Sequence, residues 1–77
     1  MSLRAMDEYL ETQWKKLRRS EKALMANYRT LDDRYRNTNA RPIRQRRDAA
    51  LAELKKQWRR ITEFAEAHPE YSERWNE

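Results

Sequence analysis

The sequence predicts an all-α chain folded as an antiparallel two-helix hairpin, coiled-coil-like, that dimerises into a four-helix bundle. Three observations predict it. The 77 residues contain no glycine, and the tight turns of a sheet draw on that residue for positive φ. Leucine recurs every seventh residue through the first half. A second apolar stripe of helical period follows a single break in the pattern. With 40% of residues charged and 38% hydrophobic the chain is polar enough for disorder, but regularly spaced Leu, Trp and Tyr are not the signature of a solvating segment. Length leaves room for one domain, 1–77.

The first helix is expected over about 3–36. Leu3, Leu10, Leu17, Leu24 and Leu31 occupy d positions of a heptad, which puts Asp7, Trp14, Glu21, Tyr28 and Tyr35 at a. No Pro interrupts the stretch, good helix formers dominate it, and Ser2 suits its N-cap. A loop is expected at 37–41, where Asn37 and Asn39 tolerate the left-handed region and Pro42 suits a first helical turn.

The second helix is expected over about 42–67, with Ile43, Ala50, Leu51, Leu54, Trp58, Ile61, Phe64 and Ala65 as its stripe. Pro69 disfavours helix at His68 and ends it. The tail, 68–77, is expected to add one helical turn with Tyr71 and Trp75 folding back.

A hairpin reversing near residue 39 pairs positions whose numbers total roughly 78. That rule matches Leu24 with Leu54, Leu17 with Ile61, Trp14 with Phe64, Leu10 with His68, Tyr28 with Ala50, Leu31 with Arg47 and Leu3 with Trp75. Most rungs are apolar on both sides. One helix–helix interface is little to stabilise a chain of this size, so Trp14, Met25, Leu51 and Trp58, at the edge of the seam, are expected to face a second copy or a partner. Glu21 interrupts the seam level with Gln57; contact with Arg18, Lys22 or Gln57 would satisfy it, and a register-fixing polar layer is its expected role.

Charge is segregated. Residues 15–60 hold sixteen Lys or Arg against five acids, while both terminal segments are net acidic, giving +5 in all. The hairpin therefore has a basic loop end and an acidic open end, with Asp7, Glu8, Glu11, Glu63, Glu66, Glu70, Glu73 and Glu77 at the latter. At the tip lie Arg34, Arg36, Arg41, Arg44, Arg46 and Arg47; lower down, Lys15, Lys16, Arg18, Arg19 and Lys22 come level with Lys55, Lys56, Arg59 and Arg60. Guanidinium groups are bidentate donors matched to phosphate or carboxylate. These cations predict docking on an anionic partner, nucleic acid first and an acidic protein surface second, with affinity that falls as salt rises. A third use is structural: the Arg tip of one copy could meet the acidic end of another.

Nothing encodes base specificity, since helix-turn-helix, RNP-type and zinc-finger signatures are all missing. Enzymatic chemistry is not expected. There is no cysteine and one histidine, His68, so a zinc site would need an unusual ligand set, and without glycine no P-loop or dinucleotide fingerprint can form. The sequence implies no cofactor and no small-molecule substrate. No membrane span or apolar leader is apparent, which predicts a cytoplasmic protein. Size and the missing catalytic groups suit a regulator or assembly factor, including an inhibitor carried by a phage.

Overall fold

The computed structural model describes residues 3–76, and the side chains of 5–75. Helix α1 runs Leu3–Thr38 and α2 runs Arg41–Ala67; a short α3, Pro69–Ser72, leads into a 3₁₀ turn, Glu73–Asn76. The described chain is all-α, and α1 and α2 pack against each other in a body 54 × 20 × 16 Å. Its long dimension is that of α1 itself, since thirty-six residues at ~1.5 Å each span the rod. The expected Ser2 cap lies outside the described residues.

The reversal is tighter than the 37–41 loop predicted from sequence. Only Asn39 and Ala40 leave helical geometry. Asn39 takes φ 53° while its N–H still donates to the Tyr35 carbonyl at 2.7 Å, so one left-handed residue both closes α1 and turns the chain. Ala40 is extended, and its carbonyl accepts from the N–H groups of Ile43 and Arg44 at 3.1 Å, starting α2 with Pro42 in its first turn.

The core sits at the open end. Trp14, Ile61 and Tyr71 are buried, with Leu10, Leu17, Trp58, Phe64 and Trp75 packed around them. Trp14 lies 5.9 Å from Phe64 between ring centroids, the rung predicted by the pairing rule, and 5.4 Å from Tyr71. Towards the loop the seam thins to Ala50 and Leu54, with Leu24, Leu31 and Ile43 half-buried.

The C-terminal segment accounts for this asymmetry. Pro69 ends α2, as expected, and the chain doubles back along the seam, so α3 and the 3₁₀ turn form a third side over the open-end half. Two sequence-based expectations are corrected here. Trp14, expected at a partner face, is 4% exposed, because the returning tail covers it with Tyr71. Trp75, expected level with Leu3, instead brings its indole N–H to within 3.4 Å of Glu21, some 27 Å further along α1 at ~1.5 Å per residue.

Glu21 is the polar centre of the fold. It is 5% exposed. Its Oε2 accepts from the Trp58 indole at 2.8 Å and the Trp75 indole at 3.4 Å, while Arg18 Nη1 lies 3.0 Å from Oε1. Arg18 is thus a partner foreseen from sequence and the indoles are not. Gln57, also buried, turns aside: its amide donates to the Leu17 carbonyl at 3.0 Å, and its oxygen accepts from Arg60 at 3.1 Å. No buried side-chain N or O among the described residues lacks a partner, so this polar layer joins α1, α2 and the tail without an orphaned group.

Candidate anion-binding surface

The loop-end arginines divide into two kinds. Arg47 points inward. Its guanidinium meets Asp32 and Asp48, both at 3.3 Å, and stacks 4.5 Å from the Tyr35 ring. Partial burial works against its charge, but the hydrogen bonds to Asp48 and Asp32 outweigh it and raise the pKa further above its usual value. Arg47, expected among the anion ligands, is thus engaged between the two helices by these contacts. Arg36 and Arg44 are exposed and pair with Asp32 at 3.1 Å and Asp48 at 4.0 Å. Arg34, Arg41 and Arg46 are exposed, and no ion pair among the described residues involves them.

The lower cluster is less neutralised. Between Glu11 and Asp32 the sole acid of α1 is Glu21, which is buried and committed to Arg18 and the two indoles. Lys15, Lys16, Arg19, Lys22 and Arg29 along this stretch are exposed. Opposite them on α2, Lys55, Lys56, Arg59 and Arg60 are also exposed, with Lys56 drawn to Glu53 at 3.5 Å and Arg60 to the Gln57 oxygen. The result is a belt of cations around the middle of the rod. Arg18, expected in that belt as a ligand, is largely covered: its side chain is 19% exposed, pairs with Glu21 and lies 5.7 Å from the Trp14 ring.

Two cations that the sequence reading does not single out complete the surface. Arg29 occupies the same heptad position as Lys15, Lys22 and Arg36, so the four form one row down α1 at a spacing legible in the sequence. Arg74 is a different case. It arrives from the tail, pairs through both terminal nitrogens with the Glu11 carboxylate at 2.5 and 2.8 Å, and lies 5.2 Å from the Tyr71 ring. The hydrogen bond from Arg74 holds the Glu11 carboxyl below its ordinary value. Burial, followed by the nearby Glu11 charge, raises the Tyr71 phenol above its own.

Arg74 also closes a groove. Lys15, Arg18, Arg19, Lys22 and Arg74 surround a cleft of about 300 Å³ whose floor is Trp14. The carboxylates that position Arg18 and Arg74 do not line it. Glu11 instead faces a neighbouring acidic cleft with Asp7, Glu8 and Glu70, so the sign of the surface changes within two turns of α1.

Comparison with protein-family models, with curated proteins and with solved structures finds no match to this chain. Of the expected partner face, Trp58 is half-buried, packed on the core and tied to Glu21, while Met25 and Leu51 are half-buried and stand outside that core cluster. The His68 ring packs tilted against Phe64, 4.8 Å between centroids, at the end of α2. Among the described residues no helix is long and apolar enough to cross a membrane.

Proposed function

We propose that this protein is a non-enzymatic binding module, acting in the cytoplasm, that docks on nucleic-acid backbone through the cation belt of its two helices and the exposed arginines of its loop end. The observation that carries this reading is the missing counter-charge. The belt's exposed Lys and Arg share their stretch of α1 with one acid, Glu21, and that acid is turned inward. A helix surface serving solubility alone interleaves both signs, whereas a phosphate ladder rewards unopposed cations through release of its counterions.

A duplex lying against one side of the rod meets about four of the belt cations, which predicts a log–log salt slope near −3.6 at about −0.9 per contact. Fluorescence anisotropy with a labelled 20-base-pair duplex between 50 and 200 mM salt tests this. Replacing Arg19, Lys22, Lys56 and Arg59 together with Gln is expected to abolish binding, and replacing Arg41, Arg44 and Arg46 to weaken it and flatten the slope. Binding insensitive to salt, or none in the wild-type protein, overturns the reading.

A second reading rests on Met25 and Leu51. They continue, towards the loop, the row of Trp14, Arg18 and Glu21 on α1 and of Trp58 on α2, and both are half-buried. On this reading two hairpins pair over Met25 and Leu51 as a four-helix bundle, or a partner protein covers them. Sedimentation equilibrium at tens of micromolar separates the cases: a monomer whose nucleic-acid binding survives Leu51→Glu removes the second reading.

A further inference from the structure

We infer that the cleft between α1 and the C-terminal tail is a phosphate-binding site for a nucleic-acid backbone, with Arg74 of the tail completing it alongside Lys15, Arg19 and Lys22. The inference rests on the nucleic-acid reading above and names the place where the backbone is gripped. Of the six residues lining this cleft of about 300 Å³, five are cationic and none is acidic. Lys15, Arg19 and Lys22 are exposed and enter no ion pair among the described residues.

The other two cations are held in place before any ligand arrives. Arg18 is fixed by Glu21 and the Trp14 ring, and Arg74 by Glu11 and the Tyr71 ring. A guanidinium whose torsions are already set loses less entropy on meeting a phosphate than one on a swinging stem. With two carboxylates behind the five cations the site keeps a net charge of about +3, and a buried indole floor lowers the local dielectric and strengthens the field. Lys15 and Lys22 stand two helical turns apart, ~10.5 Å. The row of Lys15, Arg19 and Lys22 is thus long enough to meet more than one phosphate of a backbone, with Arg74, held at Glu11, lining the same cleft.

The tail is therefore part of the binding surface as well as of the core. Its departure would take Arg74 from the cleft.

The test uses the full-length chain and a labelled 20-base-pair duplex, read by anisotropy as a function of salt. The triple variant K15Q/R19Q/K22Q is expected to lower the magnitude of the salt slope by about 2–3, and R74Q by about 1, with affinity at 100 mM salt down about 5–10-fold for the single change. Glu11→Gln separates charge from anchoring. It removes the charge and one of the two acceptors that hold Arg74 but leaves every cation present, so its slope is expected to stay at the wild-type value, and R74K is expected to recover most of the slope that R74Q loses.

If the wild type binds and both R74Q and the triple variant keep its slope, the cleft is not the site, although the general reading survives. If R74Q and E11Q weaken binding equally with the slope unchanged, Arg74 acts only by pinning the tail and its assignment as a ligand fails. If the wild type binds no nucleic acid, both the reading and the inference fall. Competition by inorganic phosphate at concentrations well below those at which chloride competes would show a site for free phosphate rather than backbone, and would overturn the assignment of the source.

Discussion

Replacing Glu21 with Leu tests whether the buried carboxylate organises the three segments or merely occupies the seam. Leu fits a heptad a position and is more apolar, so a reading from hydrophobic pattern alone expects stabilisation. The contacts argue the reverse. Trp58 loses a hydrogen bond to a charged acceptor at 2.8 Å, worth about 1.5–3 kcal/mol. Trp75, at 3.4 Å, is at the long limit and loses about 0.5 kcal/mol.

Arg18, with its side chain 19% exposed, turns towards water at a cost of roughly 0.5–1 kcal/mol. Added leucine contact offsets about 0.5–1 kcal/mol of this. The balance is a loss of about 2–4 kcal/mol, and for a domain of this length each kcal/mol moves the midpoint by about 4–8 °C. Thermal unfolding followed by far-UV circular dichroism should therefore fall by roughly 10–25 °C. Glu21→Gln, which keeps the shape and one oxygen for Trp58, should fall by only about 4–8 °C. An E21L protein as stable as the wild type would refute the reasoning, because the two indoles would then have been indifferent to their acceptor.

Three further outcomes follow from the same contacts. Trp14→Ala should cost about 3–5 kcal/mol in denaturant titrations, and Met25→Ala or Leu51→Ala under about 1.5, because Trp14 is enclosed and the other two are only half-buried; equal losses would return Trp14 to the surface. Asn39→Gly should leave stability unchanged or slightly raised, while Asn39→Val should cost about 1–2 kcal/mol, since a β-branched residue resists φ 53°. Acid should release the tail. The Glu11 carboxyl is depressed below its ordinary 4.5 in the folded chain by Arg74, so its contribution is complete above that value and is lost as pH falls through the lower folded one. The Trp75 indole resonance should hold constant from neutrality to about pH 4.5 and shift only below it, and Glu11→Gln should remove that step.

The fold was legible where it depends on local pattern. Leucine at every seventh position and the stripe through Leu54 and Ile61 name the two helices and their facing sides, because helical period is a property of consecutive residues. Trp14 opposite Phe64 followed from register alone. The tail was only half legible: Pro69 announces where α2 stops, but the direction taken afterwards depends on which surface offers Tyr71 and Trp75 the better burial, and that surface exists only once α1 and α2 have paired. This is why Trp14 reads from sequence as an edge residue and proves to be enclosed. It is also why Arg74, fourteen residues from the nearest Lys or Arg, gives no sign of joining Lys15 and Lys22.

Sequence by itself thus determined the helices, their antiparallel register and the segregation of charge into a basic middle and acidic ends, since each follows from the order of side chains along one helix or across one turn. Tertiary structure alone decided which of those charges face outward. Arg47 and Arg18 resemble Arg46 and Arg19 in sequence, yet the first pair is held by carboxylates and aromatic rings within the fold and the second is exposed. The difference is about 100° of rotation on a helix, and its consequence depends on what the neighbouring segment brings to that side.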